Sequence, residues 1–235
     1  MEINPVLIIC ILIIAASTYL GYRKGLLLTV YSAGAMLIAI ALAYFLMPYG
    51  TKLLRSTPVY DAVYESINEK VKSFISENED ENKGEQADAI DEMELPGYTK
   101  DVLMTNNNSK TYEKMEASGF KDYVDNSVTI MIMNALSILI IFLVIFTIIK
   151  LIGMALKVLT RVPVLHGADK AGGTALGFAR GMLIIWMVCI FVAMFPTTEW
   201  GRYVFNAIEK SSILTFIYNN NFLMAAVQDI GRIIL

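Results

Sequence analysis

Gly173, Gly177 and Gly181 recur at every fourth position, and the chain then continues MLIIWMVCIFVAMF without a single charge. No other feature restricts the fold as much. On an α-helix a four-residue repeat stays along one face. Each glycine in a helix interior costs about 1 kcal/mol relative to alanine. A membrane helix recovers that cost where a second backbone packs very close to it. The uncharged run belongs in hydrocarbon. Residues 165–181, LHGADKAGGTALGFARG, therefore read as the entry to a transmembrane helix with a glycine seam. Asp169 opens the helix and one charge, Arg180, sits near the seam.

The rest of the chain suits that setting. Of its 235 residues 56% are hydrophobic, and the 17% that are charged gather between apolar runs. This segregation marks an all-α integral membrane protein. Four spans are expected, arranged as two hairpins. The first apolar run, residues 5–20, needs its flanks to reach the usual length. A cleaved signal peptide is disfavoured because Arg23 and Lys24 follow the run and no basic stretch precedes it. Residues 25–47 form the second run, with Ala35, Ala39 and Ala43 on one face as a second small-residue seam. A short turn through Gly21 and Gly25 joins these two helices within residues 1–47. Residues 128–195 hold the third and fourth spans, joined by a basic connection that includes Lys150, Lys157, Arg161 and Lys170.

Between the pairs lies a polar insert, residues 48–127, with nine basic and seventeen acidic residues. Its apolar residues at helical spacing predict an amphipathic helix over residues 60–75. The acidic stretch 77–94 lacks aromatics and is expected to be disordered. A second polar helix is expected from Lys110, running into the third span. The tail, residues 196–235, reads as two amphipathic helices in the membrane interface, with Trp200 and Tyr203 at headgroup level. The basic connections point to the cytoplasm, which puts both termini and the acidic insert outside it.

The individual residues allow plain readings as well as functional ones. The glycine seam packs against the Ala35–Ala43 face within one chain, or lines the contact between copies in an oligomer. Asp169 caps its own helix through free backbone N–H groups, or pairs with a basic partner at the cytoplasmic rim. A bond from Asp169 to Arg180 within one helix is excluded, because eleven residues rise about 16 Å. Arg180 snorkels to the headgroups or serves a function inside the membrane. Arg23 and Lys24 set topology. Cys10 and Cys189 lie in apolar runs and read as buried thiols rather than a disulfide or metal site. His166 is the only histidine and has no cluster of ligands around it.

Gly167, Asp169 and Lys170, followed by Gly173, Gly177, Arg180 and Gly181, resemble the late-helix motif of the CvpA, or colicin V production protein, family. The early turn at Gly21, Arg23, Lys24 and Gly25 is similar to that family's basic turn. The resemblance covers the four spans and leaves out the insert and tail. The chain departs from the family in two places. Asn4 stands where the family often has an acid ahead of the first span, and Lys170 where it often has arginine. The resemblance implies a bacterial inner-membrane protein tied to toxin or bacteriocin production and envelope maintenance.

Motifs for catalysis are lacking: there is no GxSxG, HExxH, Walker A or dinucleotide fingerprint. No enzyme activity and no cofactor are expected. An acidic polar segment also argues against nucleic acid. The expected partners are the lipid bilayer, a second copy of the chain, and envelope or export proteins. The preferred reading is a structural or accessory component that self-associates. The alternative is an oligomeric channel or transporter with the glycine-seam helix along its pathway.

Overall fold

The computed structural model describes residues 4–75, 82–155 and 168–229. Gly167, His166, Lys157, Arg161 and residues 77–81 of the acidic stretch lie outside the described residues. Ten helices and no strand occur among those described. Helix α1 runs Pro5–Arg55, α2 Pro58–Val71, α3 Lys83–Glu92, α4 Gly97–Asn106 and α5 Ser109–Met115. They are followed by α6 (Phe120–Ala155), α7 (Ala168–Ala193), α8 (Glu199–Glu209), α9 (Ser212–Asn219) and α10 (Phe222–Gln228). Among the described residues three helices are long and apolar enough to cross a membrane: Pro5–Arg55, Phe120–Met154 and Ala168–Ala193. The first two expected spans are the arms of one helix, α1, broken at Gly25.

The chain divides into two compact units. The first comprises Met1–Leu46, Ile138–Cys189 and Ala207–Asn221. Its core includes Ala35, Ala39, Ile40, Ala43, Ile138 and Cys189, all buried. Ile9, Ile11, Leu12, Leu143 and Val144 are by contrast exposed. Large apolar side chains on an outer face are what a protein solvated by lipid tails presents. The tail helix α9, expected in the membrane interface, packs one face inward and leaves Ile213 and Phe216 exposed on the other. Leu214, Ile217 and Tyr218 are buried, Trp186 Nε1 donates to the Ile217 carbonyl at 3.1 Å, and Asn221 Nδ2 donates back to the Trp186 carbonyl at 3.1 Å. These two bonds hold α9 and the residue that follows it to α7.

The second unit comprises Met47–Ser137, Ile190–Asn206 and Phe222–Leu235. Phe120, Tyr123, Leu103, Ile90 and Met133 form its innermost layer. The Tyr123 hydroxyl donates to the Leu103 carbonyl at 2.7 Å, so a large ring enters the core with its polar end satisfied. The amphipathic helix expected over residues 60–75 is present as α2, with Ile67 and Val71 inward. The expected disorder of residues 77–94 is overturned over Lys83–Glu92, which forms α3. Asn82 caps it by accepting from Gly84 N at 3.0 Å, and Gln86, Ala89 and Ile90 are buried. Acidic composition hid a short apolar face that tertiary packing uses. Within this unit the tail helix α10 is also packed, with Leu223, Met224, Ala226 and Val227 buried. The expected polar helix from Lys110 is the short α5. The third span is contained in the 36-residue α6, which begins well before the apolar run.

Candidate functional site

The motif residues of the first unit converge on the break in α1. Gly25 has φ 77° and ψ 175°, a region of backbone space open essentially to glycine alone. Its consequence is geometric. Thr29 Oγ1 donates to the Gly25 carbonyl at 2.7 Å and also lies 3.4 Å from the Gly21 carbonyl oxygen, eight residues back. In an unbroken helix eight residues rise about 12 Å, so the chain bends sharply here.

A helix that starts afresh after such a break exposes unpaired backbone N–H groups. Asp169 meets one of them: its Oδ1 accepts from Leu26 N at 2.8 Å. The same residue lies in the first turn of α7, where a negative charge is also favoured by the helix dipole. One carboxylate thus serves two helix starts. Sequence alone assigns this cap to Asp169's own helix. The structure moves the hydrogen bond to the other chain segment, because the break at Gly25 brings Leu26 alongside. A side chain on Gly25 would run into the Asp169 carboxylate.

The seam glycines continue the same contact along α7. A Cβ on Gly173 would meet the Gly21 carbonyl oxygen and stand 2.8 Å from the Gly25 carbonyl carbon. One on Gly177 would stand 2.7 Å from the Ser17 carbonyl oxygen and 3.0 Å from Thr18 Cα. One on Gly181 would come within 3.1 Å of Ile14 Cα. The partner is therefore the backbone of residues 14–25, running antiparallel to α7. The expected partner, the Ala35–Ala43 face, is not what these glycines touch, although Ala35, Ala39 and Ala43 are themselves buried. Sequence could rank small-residue faces but not pair them, since Gly21 supplied too short a signal to be recognised as the other half of the seam.

The charges around the joint divide by partner. Lys170 Nζ lies 5.2 Å from the Tyr22 ring centroid, and the Arg23 guanidinium lies 6.0 Å from that of Tyr19. Both are cation–π contacts of the kind that hold a charge beside apolar surface. Lys150 Nζ lies over Tyr31 and Phe146 at 5.4 and 5.3 Å and reaches Ser32 Oγ at 3.4 Å. Among the described residues Lys24 and Arg180 have no hydrogen-bond or ion-pair partner. Asn4 has a structural task instead of a charge. Its Oδ1 accepts from Val6 N and Leu7 N at 3.1 and 3.2 Å, and its Nδ2 donates to the Ala207 carbonyl at 2.6 Å. It caps α1 and ties it to the tail.

In the second unit Asn134, which in the sequence is only a polar interruption of an apolar run, is a hub. It is fully buried, accepts from Thr51 Oγ1 at 3.0 Å and donates to the Val227 carbonyl at 3.1 Å. One helical turn away, Ser137 Oγ donates to the Met47 carbonyl at 3.0 Å. A polar side chain inside an apolar run is the signal that could have identified it. Among the described residues no group of three or more His, Cys, Asp and Glu side chains is placed to hold a metal ion.

Residues 114–221 match the family described as Colicin V production protein, the family that the glycine motif resembles. The matched stretch includes Asp169, Gly173, Gly177 and Gly181 together with α8 and α9, which the resemblance leaves out. It does not reach the Gly21–Gly25 turn. No curated protein and no solved structure matches the chain.

Proposed function

We propose that this chain is a non-catalytic, multi-pass component of the bacterial inner membrane, a reading supported by the match of residues 114–221 to the colicin V production protein family. It supports toxin production or export and envelope maintenance. The observation that carries this reading is the internal use of the motif. Asp169, Gly173, Gly177 and Gly181 are engaged with the backbone of residues 14–26, so the motif builds a joint between helices rather than presenting reactive groups to a substrate.

In this reading the arms of α1, residues 5–24 and 26–55, each cross the bilayer. Their lengths of about 30 and 45 Å match or exceed the hydrocarbon thickness. With α6 and α7 they make four spans in two hairpins, basic connections in the cytoplasm and the insert outside. Self-association uses outer faces such as that of Ile8, Ile11 and Leu12, which are exposed, because the seam is already filled from within. Single cysteines at Ile11 or Leu12 should cross-link between copies in native-like lipid, and cysteines at Gly177 or Gly181 should not. Cross-links only along the seam would refute this arrangement.

The functional test is secretion. In cells lacking their own family member, the wild-type chain should restore toxin release, and a Gly25→Val chain, whose joint cannot close, should not. Full activity of Gly25→Val would remove the joint from the function. One observation favours a second reading, an oligomeric channel: Arg180 stands near the seam without a partner among the described residues. Ion flux in liposomes that changes with Arg180→Gln would select that reading.

A further inference from the structure

A cavity of about 440 Å³ opens in the second unit, within the size range of pockets that hold small molecules. Its inner wall is apolar. Ile67, Val71, Met93 and Val128 line it and are all buried, with Phe74 and Leu95 beside them. Its mouth is polar and carries Lys70, Arg202, Ser73 and Thr197, with the carboxylates of Glu94 and Glu199. The two cations are held differently. Arg202 forms an ion pair with Glu94. Lys70 Nζ donates to the Thr197 carbonyl oxygen and to Thr197 Oγ1, each at 2.9 Å, and has no carboxylate partner among the described residues.

An ammonium has three donors, so these two bonds leave one N–H of Lys70 for a ligand. Its position is fixed by α2 and by the segment that contains Thr197. Burial, followed by the nearby positive charge of Arg202, lowers the Lys70 pKa from its usual value. An anion placed between the two cations would relieve that repulsion. The mouth carries two cations and two carboxylates, and with Arg202 paired to Glu94 Lys70 is the cation left to meet a ligand.

We propose that this cavity binds a small amphiphile with a single carboxylate, its head at Lys70 and its acyl chain against Ile67, Val71, Met93 and Val128. Neither half of the site suffices alone. A bare anion would leave the apolar wall against water, and an uncharged chain would leave the free N–H of Lys70 unused. A charge-assisted hydrogen bond contributes about 1.5–3 kcal/mol, which corresponds to roughly ten- to a hundredfold in affinity.

The test uses the full chain in lipid nanodiscs and a photoreactive fatty carboxylate, with the labelled residues identified by mass spectrometry. Labelling should fall on residues 67–74 and 93–95 and should be competed by decanoate, with decanol and acetate at least tenfold weaker. Lys70→Gln should lower labelling about tenfold, and Lys70→Arg should restore it, which separates loss of the head contact from loss of the fold. Labelling confined to the lipid-facing helices, equal competition by decanol, or equal labelling of Lys70→Gln and wild type would each overturn the assignment. None of these outcomes bears on toxin release, so the site and the proposed function stand or fall separately.

Discussion

Gly25 shows how much can rest on one hydrogen atom in place of a side chain. Its backbone lies in a region that costs a residue with a Cβ about 1–3 kcal/mol, and the Asp169 carboxylate fills the space where that Cβ would go. Gly25→Ala should therefore lower stability by at least that amount in reversible unfolding from mixed micelles. Asp169→Ala should cost about 1 kcal/mol, the usual loss for a helix cap, and Asp169→Asn, which keeps the acceptor, should cost less. Ser17 lies beside Gly177 and Gly181, and its buried hydroxyl lacks a partner. An unsatisfied buried polar group carries a penalty of about 1–3 kcal/mol, so Ser17→Ala should be neutral or stabilising in the same assay. A clear loss would mean that the hydroxyl is paired in the bilayer. Tyr64 provides a pH test in the second unit. Burial, and then the hydrogen bond from its hydroxyl to Asp122 Oδ1 at 3.1 Å, push its pKa up to about 12. The unfolded phenol ionises near pH 10 (about 10 for a free tyrosine). Across that window the folded chain holds a proton that the unfolded chain has released, so stability falls as pH rises from about 10 to 12. Below the window the contribution is fully present. Tyr64→Phe should flatten this decline, and the tyrosinate absorbance of the wild type should show one late-titrating phenol that the variant lacks.

For whole helices, the outcome depends on which face a small residue occupies. Gly177 and Gly34 are both glycines inside long apolar helices. A Cβ at Gly177 meets the backbone of residues 17–21, whereas one at Gly34 meets nothing within 4 Å. Gly177→Leu should separate residues 14–25 from α7 and lower stability strongly while leaving helical content nearly unchanged by circular dichroism. Gly34→Ala should be tolerated, or should stabilise by up to about 1 kcal/mol through helix propensity. Equal effects at the two sites would contradict the close approach seen at the seam. Sequence periodicity places Gly173, Gly177 and Gly181 on one face, because spacing alone places residues on a helix, and that face lies close to the backbone of residues 14–25. It could not identify the face opposite, because several small-residue stripes compete and only their three-dimensional approach selects one. The same limit explains α3. Its acidic composition argued for disorder, but Ala89 and Ile90, at 5% and 0% exposure, gain enough burial for the segment to order.

For the molecule as a whole, the orientation proposed above rests on the charge distribution and can be checked directly. Lys83, exposed at the start of α3, should be labelled as Lys83→Cys by an impermeant reagent added outside intact cells. Labelling only after the cells are opened would reverse the topology proposed above. The amino-acid sequence by itself determined that this is a helical membrane chain whose charges gather between its apolar runs, because long uncharged runs have no stable place in water and must satisfy their backbone polar groups internally. It also singled out the seam glycines and Asp169, since residue type and helical spacing are local properties. Only the tertiary structure decided where those residues act. It turned an expected loop into a break within α1, gave the Asp169 carboxylate to Leu26, drew the tail helices α9 and α10 into packed units, and made Asn134 a hub. Each of these depends on which backbone comes within about 3 Å of which (hydrogen bonding and close packing act only over such distances), and sequence spacing carries no information about approaches between segments far apart in the chain.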